Sequence, residues 1–282
     1  MSGGKVEVRV ETAQGALRLE GSSRAGDSTW LKVHPPGLAF DVGRGSLQLG
    51  GSRDLFVSHG HLDHALGLPF AISQRTLHES AATRVFCPKE IEDDLRAFVE
   101  AAERLERVAY RWELFPLSVG DRVEVARDLV VEAFPVDHVV PSLGFHLFRK
   151  KHRLAPAYQG KEPSELAALR ASGVAIEETI ESLWVSYCAD TGPGVFDLEP
   201  RIFTSSVLIL ECTFLSAELT DRAVRYKHMH IDEIAARAER FENQAIVLQH
   251  LSHRHAFEDL EQAIEERLPG LASRIQILRA SS

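Results

Sequence analysis

The chain has 282 residues, 44% of them hydrophobic and 26% charged, with a net charge of −9. That length accommodates one large α/β domain or two small ones, and the composition supplies a real apolar core. The acidic balance argues against a broad polyanion-binding surface, which would run basic, but leaves room for a local basic patch or for a metal site that receives phosphate.

Residues 1–30 are polar and Gly/Ser-rich, with strand character at 6–10 and 16–19 that suggests an opening hairpin. The apolar run 38–40 ends in Asp41-Val42-Gly43, a strand leaving into a turn. A buried strand at 55–57 stops at Ser58. Pro88 is expected to open a helix, because Ile91, Leu95, Phe98, Ala102 and Leu105 recur at steps of four and three. Residues 130–134 read as a strand broken by Pro135. Residues 149–183 change character. They are basic at Arg149, Lys150, Lys151 and Arg153, then polar with a short helix at 163–171, and are read as an insertion or arm. Short apolar strands follow at 184–188, 207–210 and 246–248, and Ile231, Ile234, Ala235, Ala238 and Phe241 trace a helix. The C-terminal part adds a helix at about 256–267 and a strand at about 275–278.

No internal repeat is visible. The alternation of strands and helices fits an α/β fold, a single αββα sandwich over 1–282 with two sheets and helices on both outer faces. Cys87, Cys188 and Cys212 are odd in number, far apart and set among apolar residues, so they read as small buried hydrophobes of a reducing compartment. No apolar run reaches the ~18 residues of a membrane span, and a cytoplasmic protein is expected.

The strongest chemical signal is Ser58-His59-Gly60-His61-Leu62-Asp63-His64, which places four candidate ligands within six residues directly after a strand. Imidazole suits zinc, and carboxylate completes a hydrolytic site. Gly60 is expected to let the loop turn tightly. Further candidates stand at strand ends: His138 after 130–134, Asp190 after 184–188, and His250 after 246–248. Glu211 ends an apolar strand, where an unpaired charge would be costly.

An H-x-H-x-D-H motif followed by a distant His, Asp and His resembles the metallo-β-lactamase superfamily. Within it the chain resembles the ribonuclease Z (tRNA 3′-end endonuclease) family, in particular its short plant form. The similarity is carried by residues 39–44, 57–64 with Gly67-Leu68-Pro69, 137–145, Ala189-Asp190-Thr191, 211–215, His228-Met229-His230-Ile231 and 249–254. It implies two zinc ions, with manganese as an alternative. His59, His61 and His138 would hold one, Asp63, His64 and His250 the other, and Asp190 would bridge them. Asp63 would also orient the nucleophile, while Glu211 would keep His228 protonated so that His228 gives a proton to the leaving 3′ oxygen. His230 is read as a helix cap or a supporting group.

The resemblance further implies cleavage of precursor tRNA after the discriminator base by a homodimer whose arm holds the tRNA. Three features depart from the family pattern. Ala189 replaces a usual Gly and is expected to need a negative backbone angle, His255 replaces a usual Tyr, and the arm at 149–183 is short. Two alternatives remain at this stage: the same site acting on a small phosphodiester or other small ester, and a metal-binding protein without activity.

Overall fold

The computed structural model describes residues 6–280. Strands β1 (Val6–Thr12) and β2 (Gly15–Arg24) form the expected hairpin, from Val6 opposite Gly21 to Thr12 opposite Gly15. Strands β3 (Ser28–His34), β4 (Leu38–Val42), β5 (Asp54–Phe56), β6 (Thr83–Pro88) and β7 (Trp112–Leu117) join them in chain order. The second sheet repeats the plan with β8 (Arg122–Ala126), β9 (Leu129–Pro135), β10 (Leu143–Leu154), β11 (Glu177–Tyr187), β12 (Val207–Glu211), β13 (Ala245–Gln249) and β14 (Ile275–Ile277). In each sheet the first four strands are antiparallel and the last three run parallel. Tight turns join most antiparallel neighbours, whereas parallel neighbours need crossovers. Most of the helices lie in those crossovers. The fold therefore contains a structural repeat that has no counterpart in the sequence.

Helices α1 (Leu62–Ala65) and α2 (Leu68–Leu77) connect β5 to β6, and α3 (Glu92–Glu106) connects β6 to β7. Helix α4 (Pro163–Ala171) tops the β10–β11 connection, and α5 (Val195–Leu198) follows β11. Helices α6 (Thr220–Tyr226) and α7 (Ile231–Ala235) lie between β12 and β13, and α8 (Phe257–Arg267) precedes β14. The two sheets bury one core between them, in which Phe40 stacks on Tyr187 at 4.8 Å and on Phe145 at 5.7 Å. Leu55 and Val85 of the first sheet pack outward with Ile72 and Leu95. Leu208 and Ile246 of the second pack outward with Phe196, Ile231 and Leu260. The αββα sandwich is thus observed. All three cysteines are buried and free.

Three expectations change. Pro88 closes β6 and also caps a 3-10 turn, Lys89–Ile91, so the α-helix α3 itself starts only at Glu92, with three acids in its first turn, where the helix dipole favours them. Of the expected stripe of α3, Leu95 is buried and Ile91 and Ala102 pack partly buried beside it, joined by Val99, while Phe98 is 36% and Leu105 86% exposed. Helix α7 ends at Ala235, and Ala238 and Phe241 reach the same core from a following 3-10 turn and the residue after it. The segment 149–183 continues the second sheet: β10 and β11 stay paired from Arg149 opposite Ser182 to Leu154 opposite Glu177, and α4 caps the ribbon over the residues expected to be helical. No helix among the described residues is long and apolar enough to cross a membrane.

Candidate active site

Every expected metal ligand, and Glu211, lies at the carboxyl end of a strand or shortly past it, whereas His228 lies between α6 and α7. His59, His61, Asp63 and His64 follow β5, His138 follows β9, Asp190 follows β11, Glu211 ends β12 and His250 follows β13. Parallel and neighbouring strands bring these ends to one edge of the sandwich.

The seven expected ligands fall into two groups, with Asp190 a member of the first and close to the second. In each of the groups His59–His61–His138–Asp190 and Asp63–His64–His250, one donor atom per residue lies within 4.8 Å of the others. His61 Nδ1 is 3.3 Å from His138 Nε2, and His64 Nε2 is 3.3 Å from His250 Nε2. Asp190 Oδ2 lies 3.7 Å from His59 Nε2, while its Oδ1 lies 3.2 Å from His64 Nε2 and 3.3 Å from His250 Nε2. One carboxylate thus turns an oxygen toward each group.

Partners outside the cluster orient four of the rings. Asp41 Oδ2 accepts from His64 Nδ1 at 2.8 Å, Ser58 Oγ accepts from His59 Nδ1 at 2.9 Å, Thr213 Oγ1 accepts from His250 Nδ1 at 3.1 Å, and the Lys227 carbonyl accepts from His138 Nδ1 at 3.3 Å. With Nδ1–H so engaged, each Nε2 lone pair faces inward, as a metal-ligating imidazole requires. Buried atoms with no hydrogen-bond partner include His59 Nε2 and Asp190 Oδ1. Such atoms are costly unless a cation satisfies them, so the donor set fits a divalent metal in each group.

Charge follows the same logic. Burial pushes His59, His61 and His138 below the usual imidazole range, which keeps them neutral and ready to coordinate. Burial would also depress His64, but the Asp190 and Asp41 carboxylates outweigh it and raise its pKa, so a cation arriving there displaces a proton. Asp63 and Asp190 resist the upward push of burial because the surrounding imidazoles hold both carboxyls below their ordinary range.

Beside the two groups, the fully buried Glu211 carboxylate accepts from His228 Nδ1 at 2.9 Å, Thr191 N at 2.7 Å and Met229 N at 3.0 Å, and also from Thr213 Oγ1. Glu211 and His228 also fall in a ligand-sized group with Asp190 and His250. The four donors already on Glu211 favour a role as anchor for His228 over a role as ligand. Burial works against the charged His228 ring, but the Glu211 carboxylate and its hydrogen bond outweigh it, and the pKa rises to about 9. Asp63, Asp190, His228 and His250 line an open cleft of about 260 Å³ whose rim carries Arg222 and Arg254.

A β-lactamase superfamily domain matches residues 51–251. The tRNase Z TRZ1 of Arabidopsis thaliana is 32% identical over 260 residues, covering 91% of this chain and 93% of that protein. The chain belongs to the tRNase Z (ribonuclease Z) family of this superfamily. It is a hydrolytic nuclease. The nuclear ribonuclease Z of Triticum aestivum is 33% identical over 177 residues, 63% of this chain and 99% of that protein. The crystal structure of the human short-form tRNase Z superposes with a TM-score of 0.55 at 17% identity, covering 99% of this chain and 91% of that one. The Bacillus subtilis metallo-β-lactamase fold protein YhfI superposes with a TM-score of 0.62 at 13% identity, covering 94% of this chain and 98% of that one. Both structures speak to the fold alone.

Four local expectations meet different outcomes. Ala189 has φ of 53°, a left-handed angle rather than the negative one expected of a non-glycine residue, and it is fully buried. Gly60 shows no positive φ, and a Cβ there would meet nothing within 4 Å, so the tight turn does not demand it. The position that does demand glycine is Gly67, where a Cβ would stand 2.0 Å from the Gly45 backbone nitrogen. His255 is buried and its Nε2 accepts from Leu215 N at 3.2 Å, a structural role. His230 caps α7, its Nδ1 accepting from Asp232 N at 3.2 Å.

Sequence reasoning assigned no role to Asp41, Tyr187 or Thr213. Asp41 accepts from Ser58 N at 2.7 Å, from Ser58 Oγ at 2.8 Å and from the Tyr187 hydroxyl at 2.6 Å, besides His64. Its signal was present only as a polar residue ending an apolar strand.

Proposed function

We propose that the chain is a zinc-dependent tRNA 3′-processing endoribonuclease that cuts precursor tRNA after the discriminator base. The observation that carries this reading is the Glu211–His228 pair set beside the double ligand group, in a chain 32% identical to a tRNase Z over nine-tenths of its length.

His59, His61 and His138 would hold one zinc, Asp63, His64 and His250 the other, with Asp190 shared. An all-imidazole and carboxylate set also suits manganese. When bound, two such metals clamp the attacking and leaving oxygens of an in-line displacement at phosphorus. The chain's own groups supply the rest. Asp63 Oδ2, fixed by Gly26 N at 2.8 Å, orients the attacking water. As the P–O3′ bond breaks, protonated His228 gives its Nε2 proton to the 3′ oxygen, leaving a 3′-hydroxyl on the tRNA and the phosphate on the trailer. Glu211 keeps that ring charged and aimed.

The single domain would use the ribbon at 149–183 as its arm. A homodimer fits Leu62 and Phe98, which are 64% and 36% exposed and line one groove beside the metal loop. Sedimentation of the purified chain tests that assembly, and a monomer at micromolar concentration would reject it.

The experiment for the function is cleavage of a precursor tRNA carrying a 3′ trailer, with the cut mapped and Asp63→Ala as control. A single Asp63-dependent cut after the discriminator base supports the reading. Hydrolysis of a small aryl phosphodiester without any tRNA cleavage would move the substrate to a small diester, a reading favoured by the net charge of −9.

A further inference from the structure

A chain of net charge −9 can hold RNA only through local cations, and the structure sorts these by their partners. Most cations of the ribbon are already engaged, while Lys151 reaches the Ala13 carbonyl at 3.4 Å. Lys150 Nζ is 2.7 Å from Glu124, Arg153 is 2.5 Å from Glu178, Lys161 is 3.8 Å from Glu165, and Arg170 bonds Glu177. Arg149 lies over the Trp184 ring at 4.8 Å and donates to the Gln14 carbonyl. Near the cleft, Lys227 pairs with Asp137 at 2.8 Å and Arg44 with Asp27 at 2.7 Å. Arg222 and Arg254 differ. Both line the cleft together with Asp63, Asp190 and His228, both are exposed, and among the described residues neither guanidinium has a carboxylate partner. Of the two, Arg222 lies over an aromatic ring, that of Tyr226, 4.9 Å away on the same short helix and also lining the cleft.

We infer that Arg222, steadied on Tyr226, is a positioning residue that holds a phosphate of the RNA strand next to the scissile one. The inference rests on the nuclease reading above and deepens it by locating a grip on the strand next to the scissile phosphate at the rim of the cleft, apart from the ribbon arm. The chemistry is apt: a guanidinium offers a rigid fork to phosphate oxygens, and stacking on an aromatic ring leaves its N–H edge free. Helix α6 also leads through Lys227 into His228, and Arg222 and His228 line the same cleft.

The test compares Arg222→Ala, Arg222→Lys and the ribbon variant Arg153→Ala in the zinc-loaded full chain, on precursor tRNA across a salt series. Loss of one phosphate contact should raise KM about tenfold for Arg222→Ala and lower the slope of log KM against log salt by about one. Arg222→Lys should recover the slope but only part of the KM, because it keeps the charge and loses the fork. Arg153→Ala should stay within about twofold on KM, since its charge is already paired. An unchanged salt slope in Arg222→Ala, or an equal or larger effect of Arg153→Ala, overturns the inference. A wild-type chain that hydrolyses a small aryl diester and leaves precursor tRNA intact overturns the nuclease reading itself, and this inference falls with it.

Discussion

Replacing Asp41 by Asn tests whether one buried carboxylate sets both halves of the metal centre. Its Oδ2 accepts from His64 Nδ1, Ser58 Oγ and Tyr187 Oη at 2.8, 2.8 and 2.6 Å, and its Oδ1 accepts from Ser58 N at 2.7 Å. An amide keeps one acceptor oxygen and turns an NH2 toward the rest. Whichever way it faces, at least one donor meets a donor, at a cost of about 1–3 kcal/mol. In the orientation that turns the NH2 toward His64, the ring escapes the clash by moving its proton from Nδ1 to Nε2, which removes the lone pair that faces His250 and Asp190. His59 is reached one bond further on, because Ser58 Oγ links it to Asp41.

Loss of such support typically weakens metal binding 10–100-fold, about 1.4–2.7 kcal/mol per site. The larger share should fall on the site formed by Asp63, His64 and His250. Ser58→Ala should weaken only the His59 site, because the His64–Asp41 bond survives it. Stepwise zinc affinities from competition with a chromophoric chelator measure both effects, and 15N shifts of His64 in the metal-free variant report the tautomer. The reasoning fails if Asp41→Asn retains both zincs at wild-type affinity with His64 still protonated on Nδ1.

Further predictions concern the proton donor and the shared carboxylate. His228→Ala should lower turnover roughly 10²–10⁴-fold at full zinc content; metal loss on elemental analysis would make His228 a ligand instead. Asp190→Ala should strip at least one metal, and two zincs retained per chain would refute the sharing. In the metal-free protein the His228 ring should titrate near pH 9, and Glu211→Gln should bring it down because burial is then opposed by the Asp190 carboxylate without the Glu211 charge. The folded value lies above the ~6.5 of an unfolded imidazole. The pair's contribution to stability is therefore whole below about pH 6.5 and fades as pH rises through 9. A His228 titration near 6 by NMR would contradict this.

The seven proposed ligands and Glu211 were legible because strand ends announce themselves: an apolar run stops at a His, Asp or Glu whose charge or lone pairs have no place in a core. His228, which lies between two helices, was legible only through the family resemblance. The elements that escaped did so for opposite reasons. Strand β3 buries Thr29 and Lys32 beside its apolar residues, so no clean alternation marks it. Strand β7 contains Pro116, which argues against a strand in a sequence but is tolerated here because β7 is the edge of its sheet. Asp41 acts on Tyr187 across 146 positions of chain, a separation that no local pattern encodes.

The backbone of the site was the least legible of all. Positive φ angles in non-glycine residues occur at Asp41, Ala189, Lys227 and His250, besides Glu79 and Arg107. The first four are a support of His64, the residue before the shared carboxylate, the residue before the proton donor, and a ligand. Each left-handed residue costs roughly 1–2 kcal/mol, and propensity reasoning assigns such angles to glycine. The strain persists where hydrogen bonds and buried packing over-determine it. Gly43 and His64 are tied by a backbone bond of 3.0 Å, and His250 N donates to Ser23 Oγ at 2.9 Å. A residue that looks unremarkable in the sequence thus marks the site in the fold by holding an angle its side chain resists.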